Sequence, residues 1–130
     1  MRVKTILASA LLLGCMNAHA FDQSVSANTM LEMCSNNDSE SLPYISCMSN
    51  INGYMNGLIH AKVFDEIKKN VFEEPEDDRL KLQEACLPKN TNNSELSKSF
   101  VAFVQKHPEQ GNRDFFSSFY DSMKSTYPCQ

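Results

Sequence analysis

Residues 43–63 read PYISCMSNINGYMNGLIHAKV, and this stretch decides the fold. Its apolar side chains recur every three or four residues, the spacing of one face of an α-helix. They are Tyr44, Cys47, Met48, Ile51, Met55, Leu58, Ile59 and Val63. Pro43 suits the first turn of such a helix, because its missing N–H would have no partner there. The pattern predicts one long helix that runs to about residue 70.

Two glycines, Gly53 and Gly57, lie one turn apart within this helix. Each costs up to about 1 kcal/mol relative to alanine in a helix interior. We therefore expect close packing to compensate for them. Either a neighbouring helix of the same chain or a symmetry mate could supply that packing, and we favour the neighbouring helix.

The rest of the chain after residue 20 also reads as helical, without strand alternation or hairpin turn signals. The predicted class is all-α, a small disulfide-stapled bundle of four main helices. The first helix is predicted over residues 26–35, and a short helical stretch over residues 79–85. The third and fourth helices are predicted to begin at the N-caps Ser94 and Asn112, and to end at His107-Pro108 and before Tyr127-Pro128.

The first twenty residues have the three parts of an export signal. Arg2 and Lys4 form a basic start, residues 6–14 are apolar, and Ala18 and Ala20 are the small residues that signal peptidase requires. The apolar run is too short to cross a bilayer, which needs roughly 20 residues. We predict cleavage after Ala20, a single helical domain over residues 21–130, and no membrane span.

Removal of this signal leaves four of the five cysteines. The run LLGC at residues 12–15 also resembles a bacterial lipobox, in which Cys15 would be lipidated, and either way Cys15 is lost to the fold. Four cysteines in an exported chain are typical of two disulfides. Their wide spacing argues against zinc, which usually takes paired ligands about two to four residues apart. No metal or other cofactor is predicted.

The predicted helix order sets the disulfide pairing. Helices three and four should form an antiparallel hairpin, which returns Cys129 to the neighbourhood of Cys86. Cys34 and Cys47 flank a single loop between two helices. We therefore expect the bonds Cys34–Cys47 and Cys86–Cys129.

The charge of the exported chain is acidic. Loss of Arg2 and Lys4 leaves 12 − 2 = 10 basic residues against 16 acidic ones, a net charge near −6. This balance disfavours nucleic acid and anionic lipid as partners. It would suit a basic protein partner, although moderate acidity also serves simply to keep an exported protein soluble. Five acids surround Pro75 in a predicted solvated loop, and they are candidate contacts for such a partner: Glu73, Glu74, Glu76, Asp77 and Asp78.

Catalytic signals are lacking in the sequence. Cysteine catalysis needs a thiolate and a nearby base, whereas these cysteines are predicted to be oxidised. His60 lies near Asp65 and Glu66 on the long helix, which we interpret as a solvated face, and His107 lies at a helix C-terminus, where the dipole favours a cation. No phosphate loop, nucleophile elbow or metal motif is found. The sequence predicts a protein that is not an enzyme.

Several short motifs follow one another in a fixed order. Cys34 is followed by Cys47, by Gly53-Tyr54-Met55-Asn56-Gly57, by Cys86-Leu87-Pro88, by His107-Pro108 and by Tyr127-Pro128-Cys129. In this order the chain resembles the Rap/Tai-type periplasmic immunity proteins of bacterial type VI secretion. The resemblance implies a periplasmic inhibitor that binds a peptidoglycan-cleaving effector, commonly an amidase, injected by sister cells. It also makes a homodimer plausible.

Two other classes of function stay open. A small periplasmic chaperone of the acid-stress type would also be helical, acidic and disulfide-bonded, and it would suppress aggregation near pH 2 to 3. An exported lipoprotein component of a secretion apparatus would be favoured if Cys15 were lipidated.

Overall fold

The computed structural model describes residues 24–69 and 79–130. Within them lie four α-helices, which are α1 (Ala27–Cys34), α2 (Leu42–Lys69), α3 (Asn93–Lys106) and α4 (Phe115–Thr126). A 3-10 helix, Pro108–Asn112, links α3 to α4, and β1 (Arg79–Leu82) and β2 (Ala85–Pro88) form a hairpin. The signal, the Cys15 lipobox, the Ala20 cleavage site and the acidic residues of 73–78 lie outside the described residues.

The four main helices and the two disulfides are present as predicted, but the hairpin shows that the fold is not strictly all-α. The helical stretch predicted over residues 79–85 is wrong. β1 and β2 pair antiparallel, with Leu80 opposite Leu87 and Leu82 opposite Ala85. These two pairs face the core, since three of the four residues are buried and Leu80 packs against the buried cluster. The turn includes Gln83 at a positive φ of 55°. Glycine or asparagine usually marks such a turn, so the sequence lacked the usual hairpin signal.

The N-caps of two helices differ from those predicted. Asn92 caps α3 in place of Ser94, because Glu95 completes a reciprocal capping box with it. Asp114 caps α4 in place of Asn112, since residues 108–112 form the 3-10 helix and Asp114 accepts a hydrogen bond from the Ser117 N–H. α1 begins after Ser26, as predicted, and α2 begins with Pro43 in its first turn.

The core lies between α1, α3, α4 and the first half of α2. Its largest fully buried side chains include Met30, Ile51, Leu96, Phe100, Phe115, Phe119 and Met123. The Phe100 and Phe115 rings meet edge to face with centroids 5.2 Å apart, an arrangement that aromatic pairs prefer. The aromatic stripe of α4 is therefore mostly core, as its spacing predicts.

Two disulfides tie the elements together. Cys34–Cys47 joins the end of α1 to the first half of α2, and Cys86–Cys129 joins β2 to the end of the chain. Both pairs are those that the helix order led us to expect. The first bond lies inside the core cluster, whereas the second lies outside it.

The second half of α2 projects beyond this core. The helix has 28 residues, which at 1.5 Å per residue is about 42 Å. Every residue of α2 is among the described residues. The helix buries Cys47, Ile51 and Met55, and none of its residues after Met55 is buried. The projecting half ends at Lys69, close along the chain to the hairpin.

Candidate functional site

The outward face of α2 carries large exposed apolar side chains at both ends. Leu42 and Ile45 are 79% and 47% exposed near the start, and Phe64 and Ile67 are 66% and 50% exposed near the end. Steps of three, four or seven residues connect these positions through Ser49, Gly53, Gly57 and His60, so they share one helix face. The face is bulky at its ends and small in its middle.

Gly53 and Gly57 are open to their surroundings. A Cβ atom added at either position would meet no atom of the described residues within 4 Å, apart from the local helix. The prediction that a neighbouring helix of the same chain packs against these glycines is therefore wrong. The other possibility, a symmetry mate, stays a prediction.

The glycines form the floor of a shallow groove of about 540 Å³. It is lined by Ser49, Asn50, Gly53, Tyr54, Gly57, Leu58 and Phe116. The Tyr54 ring fixes one wall, because it packs 5.0 Å from the Phe116 ring and 5.6 Å from the Phe119 ring. Burial, helped by the charges of Tyr120, Asp114 and Asp121, raises the pKa of Tyr54, so its hydroxyl is uncharged at neutral pH.

A second cavity, of about 490 Å³, lies between the projecting half of α2 and the hairpin. Its apolar lining comes from Leu58, Ala61 and Leu82, and its polar lining from Lys62, Asp65, Glu66, Lys69, Lys81, Gln83 and Tyr120. The carboxylates of Asp65 and Glu66 form ion pairs with Lys69 and Lys62, at 2.6 Å and 3.5 Å. They are engaged along the helix, and His60 beside them is exposed, as expected for a solvated face.

The hairpin is anchored to α4 by polar contacts. The Tyr120 hydroxyl donates to the Leu82 carbonyl oxygen at 3.0 Å and accepts from the Glu84 N–H at 3.3 Å. Lys124 bridges Glu84 and Asp121, at 3.3 Å and 3.0 Å. Burial alone would raise the pKa of Asp121, but hydrogen bonds from Lys124 and Arg113 outweigh it and hold that pKa below its ordinary value. The hairpin position is thus set by α4 as well as by the second disulfide.

A family model described as Rap1a immunity proteins matches residues 26–129. The chain belongs to the Rap1a immunity protein family. The match spans all the described helices, the hairpin and the four bonded cysteines, and it confirms the resemblance that the order of motifs indicates. No curated protein and no solved structure matches the chain.

The described part of this Rap1a-family chain contains no group of three or more His, Cys, Asp or Glu side chains that could hold a metal ion. His107 caps the end of α3, with its Nδ1 3.2 Å from Glu109 Oε1 and its ring 4.8 Å from the Phe103 ring. In the same described ranges, no helix has the length and apolar character needed to cross a membrane.

The acidic residues predicted to contact a partner of the Rap1a-family chain are not among the described residues, whereas two exposed apolar residues were not predicted. Glu73, Glu74, Glu76, Asp77 and Asp78 lie outside the described residues, between Lys69 at the end of α2 and Arg79 at the start of β1. Phe64 and Ile67 were missed as surface residues. Their exposure could have been predicted, because Phe64 and Ile67 lie off the apolar stripe that contains Leu58 and Ile59. A second apolar face on a helix needs a second partner.

Proposed function

We propose that this Rap1a-family protein is a periplasmic immunity protein that binds and inhibits a cognate type VI secretion effector. The effector would be a peptidoglycan hydrolase of the amidase type, and the inhibitor would protect the producing cell and its sisters. The observation that carries this proposal is the family match over residues 26–129. The two disulfides support it, because such bonds persist in oxidising compartments such as the periplasm.

The proposed route to the periplasm is the N-terminal signal, with cleavage after Ala20 and a single domain over residues 21–130. Lipidation of Cys15 is the alternative for the N-terminus. Mass spectrometry of the protein purified from the periplasm separates the two, because cleavage after Ala20 leaves Phe21 as the first residue and no lipid attachment point.

Inhibition would depend on binding alone, without a catalytic site in this chain. An inhibitor of a lethal enzyme needs nanomolar or tighter affinity, which is about −12 kcal/mol or better. A rigid scaffold helps to reach that affinity, since less conformational entropy is lost on docking. The two disulfides and the hairpin anchors on Tyr120 and Lys124 support such rigidity.

The proposed contacts with the effector are the acids Glu73, Glu74, Glu76, Asp77 and Asp78. Their position along the chain supports the proposal, because they follow the half of α2 that projects beyond the core. Carboxylates concentrated there would steer a basic cleft rim toward this end of the molecule and occlude the cleft. Replacement of all five acids by amides should slow association with the effector and weaken inhibition. Unchanged inhibition by that variant would refute the assignment.

A homodimer through the outward face of α2 is also part of the proposal. The midpoint between Gly53 and Gly57 is residue 55, and the exposed apolar residues lie at nearly equal distances on either side of it. An antiparallel copy centred there would bring Leu42 and Ile45 of one copy close to Ile67 and Phe64 of the second copy. The glycines would let the two backbones approach at the centre, as small residues do at close helix crossings.

The decisive experiment uses the chain without its signal, produced in an oxidising compartment, and the product of the adjacent gene. Calorimetry measures their affinity, and release of soluble fragments from peptidoglycan measures cleavage. Tight stoichiometric binding with loss of cleavage is the expected result. An adjacent gene product that cleaves peptidoglycan at the same rate with and without this protein would contradict the proposal.

A further inference from the structure

The two disulfides differ in their surroundings. Cys34 and Cys47 both belong to the hydrophobic core cluster, and Cys47 is fully buried with its Sγ 3.5 Å from the buried Ser97 Oγ. Cys129 is only partly buried, lies between the exposed residues Pro128 and Gln130, and is outside that cluster. Cys86 is itself buried, at 5% exposure against 8% for Cys34, so Cys129 is the cysteine at which an attacking thiol can approach the second bond without opening the core.

The register of the hairpin places Cys86 on the face opposite the core-facing residues, where it is nevertheless buried. Leu80, Leu82, Ala85 and Leu87 take the core-facing positions, so Lys81 and Cys86, which lie directly opposite each other, take the other face. The end of the chain runs beside β2, with an isolated bridge between Ala85 and Pro128 and a hydrogen bond from the Cys86 N–H to the Tyr127 carbonyl oxygen at 2.8 Å. Cys129, bonded to Cys86, covers it from that terminal segment.

The positive charge of Lys81 affects how readily Cys86 leaves this disulfide as a thiolate. Directly opposite residues of an antiparallel pair have Cβ atoms about 4.5–5.5 Å apart. Lys81 also lines the cavity beside α2, and its side chain is long enough for the ammonium to approach the Cys86 sulfur from the opposite strand. A nearby cation stabilises a thiolate, and a better-stabilised leaving thiolate departs faster in thiol–disulfide exchange.

We propose that Cys86–Cys129 is a thiol–disulfide exchange site, attacked at Cys129 Sγ by a dithiol of the kind carried by CxxC oxidoreductases. The incoming thiolate bonds to Cys129 Sγ, the Cys86–Cys129 bond breaks, and Cys86 leaves as a thiolate beside Lys81. The second thiolate of the dithiol then attacks the mixed disulfide and releases Cys129. The dithiol ends as a disulfide, its two protons end on Cys86 and Cys129, and Cys34–Cys47 is unchanged. This proposal does not depend on which protein the chain binds.

Dithiothreitol under native conditions is the probe, with timed alkylation and peptide mass spectrometry of all four cysteines. Cys86 and Cys129 should become alkylated at least about tenfold faster than Cys34 and Cys47, since the core bond requires a larger opening. Circular dichroism should show the helices retained while only the second bond is reduced. Equal rates for the two bonds, or earlier reduction of Cys34–Cys47, would overturn the proposal.

Substitutions of Lys81 test the chemistry separately from access. Lys81→Gln should slow reduction of Cys86–Cys129 by about two- to fivefold, because the leaving thiolate loses its cation. Lys81→Arg should keep the original rate, and Lys98→Gln on α3 is the charge-matched control that should also keep it. If Lys81→Gln reacts at the original rate while its circular dichroism is unchanged, the assigned role of Lys81 is wrong.

Discussion

Gly111 packs so closely against Asn28 that a Cβ atom at position 111 would collide with the Asn28 carboxamide. Gly111 is buried in the 3-10 helix between α3 and α4, and Asn28 lies in the first turn of α1. The same junction is held by the Ala27 N–H, which donates to the Arg113 carbonyl oxygen, and by the Phe115 N–H, which donates to the Val25 carbonyl oxygen, at 2.9 Å and 2.8 Å. Because Gly111 has no side chain, the first turn of α1 can pack against the 3-10 helix that links α3 to α4.

Gly111→Ala should destabilise the fold by about 1 kcal/mol, because the Asn28 carboxamide, which is the end of an exposed side chain, must turn aside from the added methyl group. Urea unfolding followed by circular dichroism measures the effect. The matched control is Lys98→Ala on the exposed surface of α3, which should change the free energy of unfolding by no more than about 0.5 kcal/mol. A Gly111→Ala variant as stable as the parent would show that Asn28 can turn aside without cost.

Self-association should depend on the exposed end of α2. Replacement of both Phe64 and Ile67 by aspartate places two charges in the apolar contact of the proposed dimer, so the dimer should dissociate. Sedimentation velocity over a concentration series measures the change. Gln105→Asp, an added charge on the exposed surface of α3, is the control and should leave association unchanged. A parent protein that sediments as a monomer at all concentrations would contradict the proposed interface.

Acid should weaken the junction at the start of α4. Hydrogen bonds from the Ser117 side chain and backbone lower the pKa of Asp114 from its ordinary 3.8, and the pKa of Asp121 is also lowered. Because these folded-state values lie below the unfolded ones, the stabilisation is present above about pH 4 and is lost as the pH falls through the folded-state values. The free energy of unfolding, measured in urea from pH 6 to pH 2.5, should fall over that window.

Asp114→Asn isolates this effect, because asparagine is also a good N-cap but does not titrate. The variant should lose less stability than the parent between pH 5 and pH 2.5. Glu32→Gln, on the exposed surface of α1, removes an equal charge elsewhere and should follow the parent curve. Identical pH profiles for Asp114→Asn and the parent would exclude Asp114 as a source of the acid sensitivity.

Tyr120 should control the stability of the hairpin. Tyr120→Phe removes the hydroxyl that donates to the Leu82 carbonyl oxygen and accepts from the Glu84 N–H. The expected cost is about 1–2 kcal/mol, the usual net value of one or two hydrogen bonds. Amide hydrogen exchange should speed up in the hairpin and stay unchanged in α1. Tyr44→Phe, at the opposite end of α2 from the hairpin, is the control.

The long periodic segments were predictable because burial repeats over many turns. α2 was predicted to about residue 70 and ends at Lys69, and the buried residues Phe115, Phe119 and Met123 follow from their spacing in α4. The hairpin was not predictable, since each strand has four residues and shows only two core-facing positions, which also fit one helical turn. The caps were ambiguous because Asn92, Asn93 and Ser94 are all competent N-caps.

The surface of α2 was the least predictable part of the candidate site. Helical periodicity tells which residues share a face, but it does not tell where along the helix the rest of the protein ends. Phe64 and Ile67 are exposed because the core stops near Met55, and that position depends on how α1, α3 and α4 pack. Similarly, the open surroundings of Gly57 follow from tertiary packing rather than from local sequence.

The two disulfides each join cysteines that are neighbours in chain order, Cys34 with Cys47 and Cys86 with Cys129. In a chain that enters an oxidising compartment with its N-terminus first, an oxidase acting on cysteines in order of emergence would form both native bonds directly. Disulfide isomerisation would then be unnecessary for maturation. Because α3 and α4 lie between Cys86 and Cys129, the second bond could close only after both helices had entered that compartment, so it would form after the first bond.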